Sequence, residues 1–345
     1  MESEKKGTTF KEIARKKQAG FFEENYGIHE FDTIKRRLKN RPEPVEIYVE
    51  ALLKWQDAMD GKIFYEGFRS QILEAIKTLR RKGIYSPSGM MMRHTLRSEH
   101  IPWNVFFPMS LDEDKIRHAT NIFNTIISKV SPELPKIKEI VDVKIEFAPK
   151  DENAREEPFT ECYLNDRTSF DTYIEYIAAD GTKGGIGIEV KYTEVGYQPG
   201  KREKEAAIIY YKNPEYRYWD VMKKSGYYIP EAFSPDNKHS DLWSPLVSND
   251  LRQIWRNHLL GASMVQHQDI EHFLSLHLYP AGNLHFHGDA KHRGAVLEYE
   301  HWLTEEGRKT WTAITFEELF ALMREYYKAP KDQDWITYLQ ERYLF

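Results

Sequence analysis

Phe170-Asp171-Thr172-Tyr173-Ile174-Glu175-Tyr176, a glycine-rich turn, and then Ile186-Gly187-Ile188-Glu189-Val190-Lys191 make up the stretch that decides the fold. Both halves alternate, as half-buried strands do, and the Asp-Gly and Gly-Gly pairs of residues 179–185 suit a hairpin turn. In a strand, residues two apart point the same way. Ile186, Ile188 and Val190 therefore turn to the core, while Glu189 and Lys191 share the other face. The hairpin carries Asp171 alongside them.

Two carboxylates converging from neighbouring strands repel each other unless a cation lies between them. Hard oxygen ligands with incomplete coordination suit Mg²⁺, which keeps waters and completes its shell from a substrate phosphate. A lysine beside such a pair can orient or help deprotonate the attacking water and offset charge developing on phosphorus. Acid, acid and lysine on adjoining strands thus suit phosphodiester hydrolysis.

Working outward, the chain has 345 residues, 41% hydrophobic and 30% charged, which is enough for a large core. No apolar run approaches the roughly 18 residues of a membrane span. The start, Met1-Glu-Ser-Glu-Lys-Lys, holds no apolar leader segment, and Cys162 is the only cysteine. That excludes an internal disulfide framework and points to a reducing, cytoplasmic setting. The net charge of −5 argues against a generic basic nucleic-acid binder. Residues 1–100 nevertheless hold 20 Lys and Arg against 15 Asp and Glu, and the remainder 29 against 39. Basic runs at 35–37, 39–41 and 80–82 suit either phosphate contact or solvated helix faces.

The spacing predicts helices over Val45–Met59, Gln71–Leu79, Asp112–Lys129, Ser248–Val265 and Phe316–Tyr327. Val141, Val143, Ile145 and Phe147 alternate as a strand, and Phe273–Tyr279 is another. Trp103, Val105, Phe106 and Phe107 belong to a segment expected to pack into the main core, ending at Pro108. The order of elements implies an α/β sheet sandwiched by helices. We expect a helical N-terminal region over residues 1–90 and a catalytic domain over 91–345.

The pattern Asp-(X17)-Glu-Val-Lys on a hairpin resembles the PD-(D/E)XK, or restriction-endonuclease-like, nuclease superfamily. Tyr163-Leu-Asn-Asp-Arg-Thr-Ser-Phe-Asp171, the run Gly185 to Glu194, and Arg97-Ser-Glu-His-Ile-Pro-Trp-Asn104-Val-Phe-Phe-Pro108 resemble a bacterial restriction-endonuclease group. The resemblance spans about Thr95 to Met323. It implies a mixed central sheet flanked by helices, with Asp171, Glu189 and Val190 holding Mg²⁺ (Mn²⁺ as substitute) and Lys191 as the catalytic lysine. It further implies DNA as substrate and a role in restriction or defence. Phe170 stands where the superfamily's name has proline. Many members add a helical acidic residue, for which Glu99 is the choice and Glu146 the competitor. Arg256, on one helix face with Arg252, suits a contact to the DNA backbone or an internal salt bridge. A homodimer would let one site per chain cut both strands.

Two other readings stay open: a catalytically silent nucleic-acid-binding module of the same fold, and a metallohydrolase centred on His285, His287, Asp289 and His292. Gly184-Gly185-Ile186-Gly187 lacks the Lys-Ser/Thr and helix of a phosphate loop, and is read as hairpin and strand glycine.

Overall fold

A computed structural model of the chain describes residues 9–36, 43–83, 87–149, 163–166, 168–196, 211, 213, 215–233 and 244–345. Cys162, Trp243 and most of the basic run 36–41 lie outside these residues. The chain divides into two compact units: Met1–Pro108 with Lys328–Phe345, and Met109–Tyr327. Sequence pattern alone suggests a boundary at residue 90. The chain instead leaves the first unit after Pro108, and its last helix, Pro330–Tyr343, returns there.

In the first unit, Thr9 and Glu12 close a capping box on the helix Phe10–Tyr26, and Gly27 ends it with φ +63°. The helix Arg69–Arg81 covers its predicted span. Val45–Met59 does not form the single helix expected: Val45–Tyr48 is strand β2, paired antiparallel with β1 (Thr33–Arg36), and only Trp55–Met59 is helical. Val45 and Ile47 also satisfy a period of two, and the cross-strand partners Tyr48↔Thr33 and Ile47↔Ile34 decide between the periods. The block around Trp103 packs inside this unit. Trp103, Val105 and Phe106 are fully buried, while Asn104 accepts from the Tyr65 amide at 2.8 Å and donates to the Ile63 carbonyl at 3.0 Å.

The second unit is built on a five-stranded sheet in the order β3-β4-β5-β6-β7: Ile137–Phe147, Phe170–Ala178, Lys183–Val190, His272–Tyr279 and Trp311–Thr315. The first three run antiparallel and the last two join in parallel, giving the mixed α/β core that the resemblance implied. The helix Glu113–Val130, capped by Asp112, packs along β3, and Phe316–Tyr326 packs on that helix. The helix Arg252–Gln266 lies against β5 and β6. Among the described residues, no helix is long and apolar enough to cross a membrane.

β3 departs from simple alternation. Register shifts at Ile137/Glu139 and Ile140/Asp142 turn Val141 outward, 53% exposed, where plain alternation had it inside. The β4–β5 turn is made by Gly181 at φ +89° and by Asp180, whose carboxylate accepts from the Thr182 amide and hydroxyl. Gly184, Gly185 and Gly187 then lie under aromatic rings. A Cβ on Gly187 would come within 2.4 Å of the Phe170 ring, and one on Gly185 within 2.1 Å of the Tyr173 hydroxyl. The run is glycine because β4 lays its aromatics across β5. Gly187→Ala should therefore lower the urea midpoint by an amount equivalent to about 1–3 kcal/mol, the usual cost of overpacking a rigid ring. An unchanged midpoint would show that Phe170 can move aside.

Candidate active site

The last β4–β5 ladder pair toward the open end of the hairpin is Thr172↔Ile188. Beyond it the Val190 amide donates to Asp171 Oδ2 at 2.7 Å, so a carboxylate stands in for a ladder carbonyl. This fastens Asp171 beside the Glu189–Lys191 strand end. Glu189 and Lys191 are 4% and 7% exposed, and Lys191 Nζ donates to Glu189 Oε1 at 2.5 Å. Glu189 Oε2 accepts from Asn257 on the helix Arg252–Gln266. The structure thus gathers Asp171, Glu189, Val190 and Lys191, and adds Asn257.

The charges do not balance. Burial pushes the Asp171 carboxyl well above its ordinary 3.8, and the negative charges of Glu189 and Glu146 push the same way, against Lys191 and the Val190 amide. Burial acts to lower the Lys191 ammonium, but Glu189, Asp171 and Glu194 outweigh it and hold the ammonium above its usual range. Glu146 lies on β3 between Ile145 and Phe147, whose partners Thr172 and Phe170 flank Asp171. Its backbone is left-handed at φ +55°, a conformation uncommon outside glycine and concentrated at functional sites. Glu99 sits in the other compact unit, where its carboxylate accepts from Arg97 Nη1 at 3.0 Å and from Ser88 at 3.4 Å.

Of the two roles weighed for Arg256, the structure shows the internal salt bridge. Its Nε donates to Asp166 Oδ2 at 2.7 Å and to Thr168 at 3.0 Å, and Nη2 reaches the Asp166 carbonyl at 3.1 Å. Asp166 also accepts from the Tyr218 hydroxyl. This network pins the segment that leads into β4, and with it Asp171. On the other side of the site, the Asn283 side chain donates to the Tyr192 and Glu194 carbonyls at 2.9 Å and steadies the chain just past Lys191.

The histidine-rich segment is not gathered. His285 faces Asp250 at 3.7 Å, His287 meets the Tyr279 hydroxyl at 3.3 Å, and Asp289 accepts from the His292 amide. Among the described residues, no three or more His, Cys, Asp or Glu side chains are grouped to hold a metal ion. The described side chains of this segment meet separate partners instead of one shared centre. At the acidic site the carboxylates of Asp171 and Glu189 are the groups that could hold a cation, with Glu146 the further acid whose charge reaches Asp171. Converging carboxylates facing one lysine are a donor set that a hard divalent cation fits.

Sequence pattern did not single out Asn257 or His277, though both left a trace. Asn257 is a polar interruption among Ile254, Leu260 and Gly261, and His277 breaks the apolar run of β6.

A family description of the PD-(D/E)XK nuclease superfamily matches residues 4–345, essentially the whole chain, and the protein is a member of that superfamily. The match takes in residues 4–90, outside the motifs that carried the resemblance. Nothing among curated proteins or solved structures matches the chain. Membership makes it a nuclease acting on nucleic acid, in a superfamily that generally uses divalent metals.

The electrostatics give a test without substrate. An acid whose folded pKa lies above its unfolded one binds more protons folded than unfolded between those values. Stability is then lost as pH rises from the ordinary 3.8 toward the folded value. Asp171→Asn keeps an acceptor for Val190 and removes the charge. Metal-free Asp171→Asn should melt above the wild type at pH 8, with the gap narrowing on acidification. A gap that widens on acidification would contradict this picture.

Proposed function

We propose that the chain is an endonuclease that hydrolyses phosphodiester bonds in DNA with Mg²⁺, or Mn²⁺ in its place, and that it restricts foreign DNA. The observation that carries the reading is the convergence of half-buried Asp171 and buried Glu189 on Lys191, with Asp171 held against its ionised state unless a cation joins it. DNA and the defence role rest on the resemblance of Tyr163–Glu194 and Arg97–Pro108 to restriction endonucleases. A cytoplasmic homodimer fits that role.

Asp171, Glu189 and the Val190 carbonyl would hold the cation. When bound, such a cation polarises a phosphoryl oxygen and makes its bound water more acidic. Lys191 stays protonated beside three carboxylates, so its part is to donate to phosphoryl oxygen and offset the charge that develops there. Asn257 orients Glu189 through its side-chain amide. The additional acid is Glu146 rather than Glu99, because Glu146 is the third carboxylate whose charge reaches Asp171. Arg256 contributes by holding Asp166, not by touching DNA.

Plasmid cleavage tests this. Asp171→Ala and Glu189→Ala should abolish cutting in Mg²⁺, and Lys191→Ala should reduce it by about 10²-fold or more. EDTA should stop the reaction, Mn²⁺ should restore it, and Ca²⁺ should support DNA binding with little turnover, because its looser shell activates water less. Full activity in EDTA, or in all three variants, would refute the proposal.

A further inference from the structure

The face of the sheet that carries Glu189 holds a second buried polar group that the protein leaves unused. Glu189 on β5 pairs with His277 on β6 in parallel register, so both side chains leave the sheet on the same side. The His277 ring is 1% exposed, and neither Nδ1 nor Nε2 finds a hydrogen-bond partner among the described residues. Its ring neighbours are Phe286, at 5.0 Å between centroids, and Tyr279, at 6.0 Å. Burial, Lys191 and His285 all disfavour its charged form, so the ring is neutral, with one N–H donor and one open acceptor. The helix Arg252–Gln266 supplies the contrast. His258 is equally buried, and its two nitrogens meet Tyr299 and Thr310, each at 2.9 Å.

An unmet buried donor or acceptor is a liability of about 1–3 kcal/mol, which an apolar ring of similar volume at this position would avoid. The open nitrogens therefore fit a group that the chain does not itself supply. Its position narrows what that group is, since its register partner is Glu189 and the charge of Lys191 reaches its ring.

We propose that His277 is a positioning residue of the metal site, and that its ring nitrogen holds a water in the hydration shell of the divalent cation bound by Asp171 and Glu189. This rests on the metal-site reading above. The contact is through water because no three His, Cys, Asp or Glu side chains among the described residues are set as direct ligands. Mg²⁺ and its substitutes keep several waters, and partners in this outer shell change metal affinity by about 10- to 100-fold. A neutral imidazole suits the task because its open nitrogen accepts from a metal-bound water without adding a competing positive charge.

The test uses the full chain without DNA, and reads Mn²⁺ affinity by calorimetry alongside the melting temperature of the metal-free protein. His277→Phe removes both nitrogens and keeps a ring. It should leave the metal-free melting temperature unchanged or higher while weakening Mn²⁺ binding by about tenfold. His277→Gln, which restores a donor and an acceptor, should recover part of that affinity. Asp171→Ala is the control for the underlying reading. Wild-type Mn²⁺ affinity in Asp171→Ala would mean that the metal site itself is misplaced. Lost binding in Asp171→Ala with wild-type affinity in His277→Phe would overturn only the role of His277. A loss that comes with a lower metal-free melting temperature, equal in Phe and Gln variants, marks a packing role and overturns it too. If His277→Phe does not fold, the smaller apolar His277→Leu carries the same comparison, and wild-type Mn²⁺ affinity in His277→Leu rejects the proposal.

Discussion

The hydrogen bond from the Val190 amide to the Asp171 carboxylate is the constraint on which the site depends. It lies one step beyond the last β4–β5 pair, where the hairpin would otherwise continue its ladder or splay. By taking the place of a ladder acceptor, Asp171 holds the two strand ends together and is itself held in reach of Glu189 and Lys191. The backbone donor is satisfied as buried donors must be. A carboxylate is thereby committed to a place where its own charge is unwelcome.

Around that bond the unit assembles supports from several elements. The helix Arg252–Gln266 offers Asn257 to Glu189 and, one residue earlier, Arg256 to Asp166. One helix therefore reaches both the acid of β5 and the segment entering β4. Asn283 fixes the chain just after Lys191. The glycines of β5 let Tyr173 and Phe170 lie flat across the strand and close the apolar layer under the site. Buried like charges are tolerated because surrounding packing and hydrogen bonds over-determine their position, a common bargain at functional sites.

The other compact unit solves a related problem differently. Arg342 is fully buried, and its guanidinium donates to the Ile63 carbonyl, Gln18, the Tyr338 hydroxyl and His100. The rings of Phe22 and Tyr343 face it at 5.1 and 5.0 Å. Neutral acceptors and aromatic faces disperse this cation, as guanidinium geometry allows. The contributing residues come from both ends of the chain, which is why Pro330–Tyr343 belongs with the N-terminal segment. The family match over residues 4–345 treats both units as one inheritance.

Local pattern alone determined the hairpin, its turn, and the shared face of Glu189 and Lys191, because strand period and turn chemistry act over a few residues. It also determined the helices Arg69–Arg81 and Glu113–Val130, whose apolar stripes, and in the second the Asp112 cap, are written consecutively. Tertiary structure decided what depends on a partner distant in sequence. Val45–Tyr48 is a strand because Thr33–Arg36 pairs with it, and Val141 is exposed because a bulge shifts its register. The placing of Glu146 beside Asp171, Asn257 on Glu189 and His277 opposite Glu189 likewise comes from strand order and helix packing. Each residue's own neighbours in sequence carry only the trace of a polar group among apolar ones. Which charge that group meets is set by contacts 25 to 88 residues away, which no periodicity encodes.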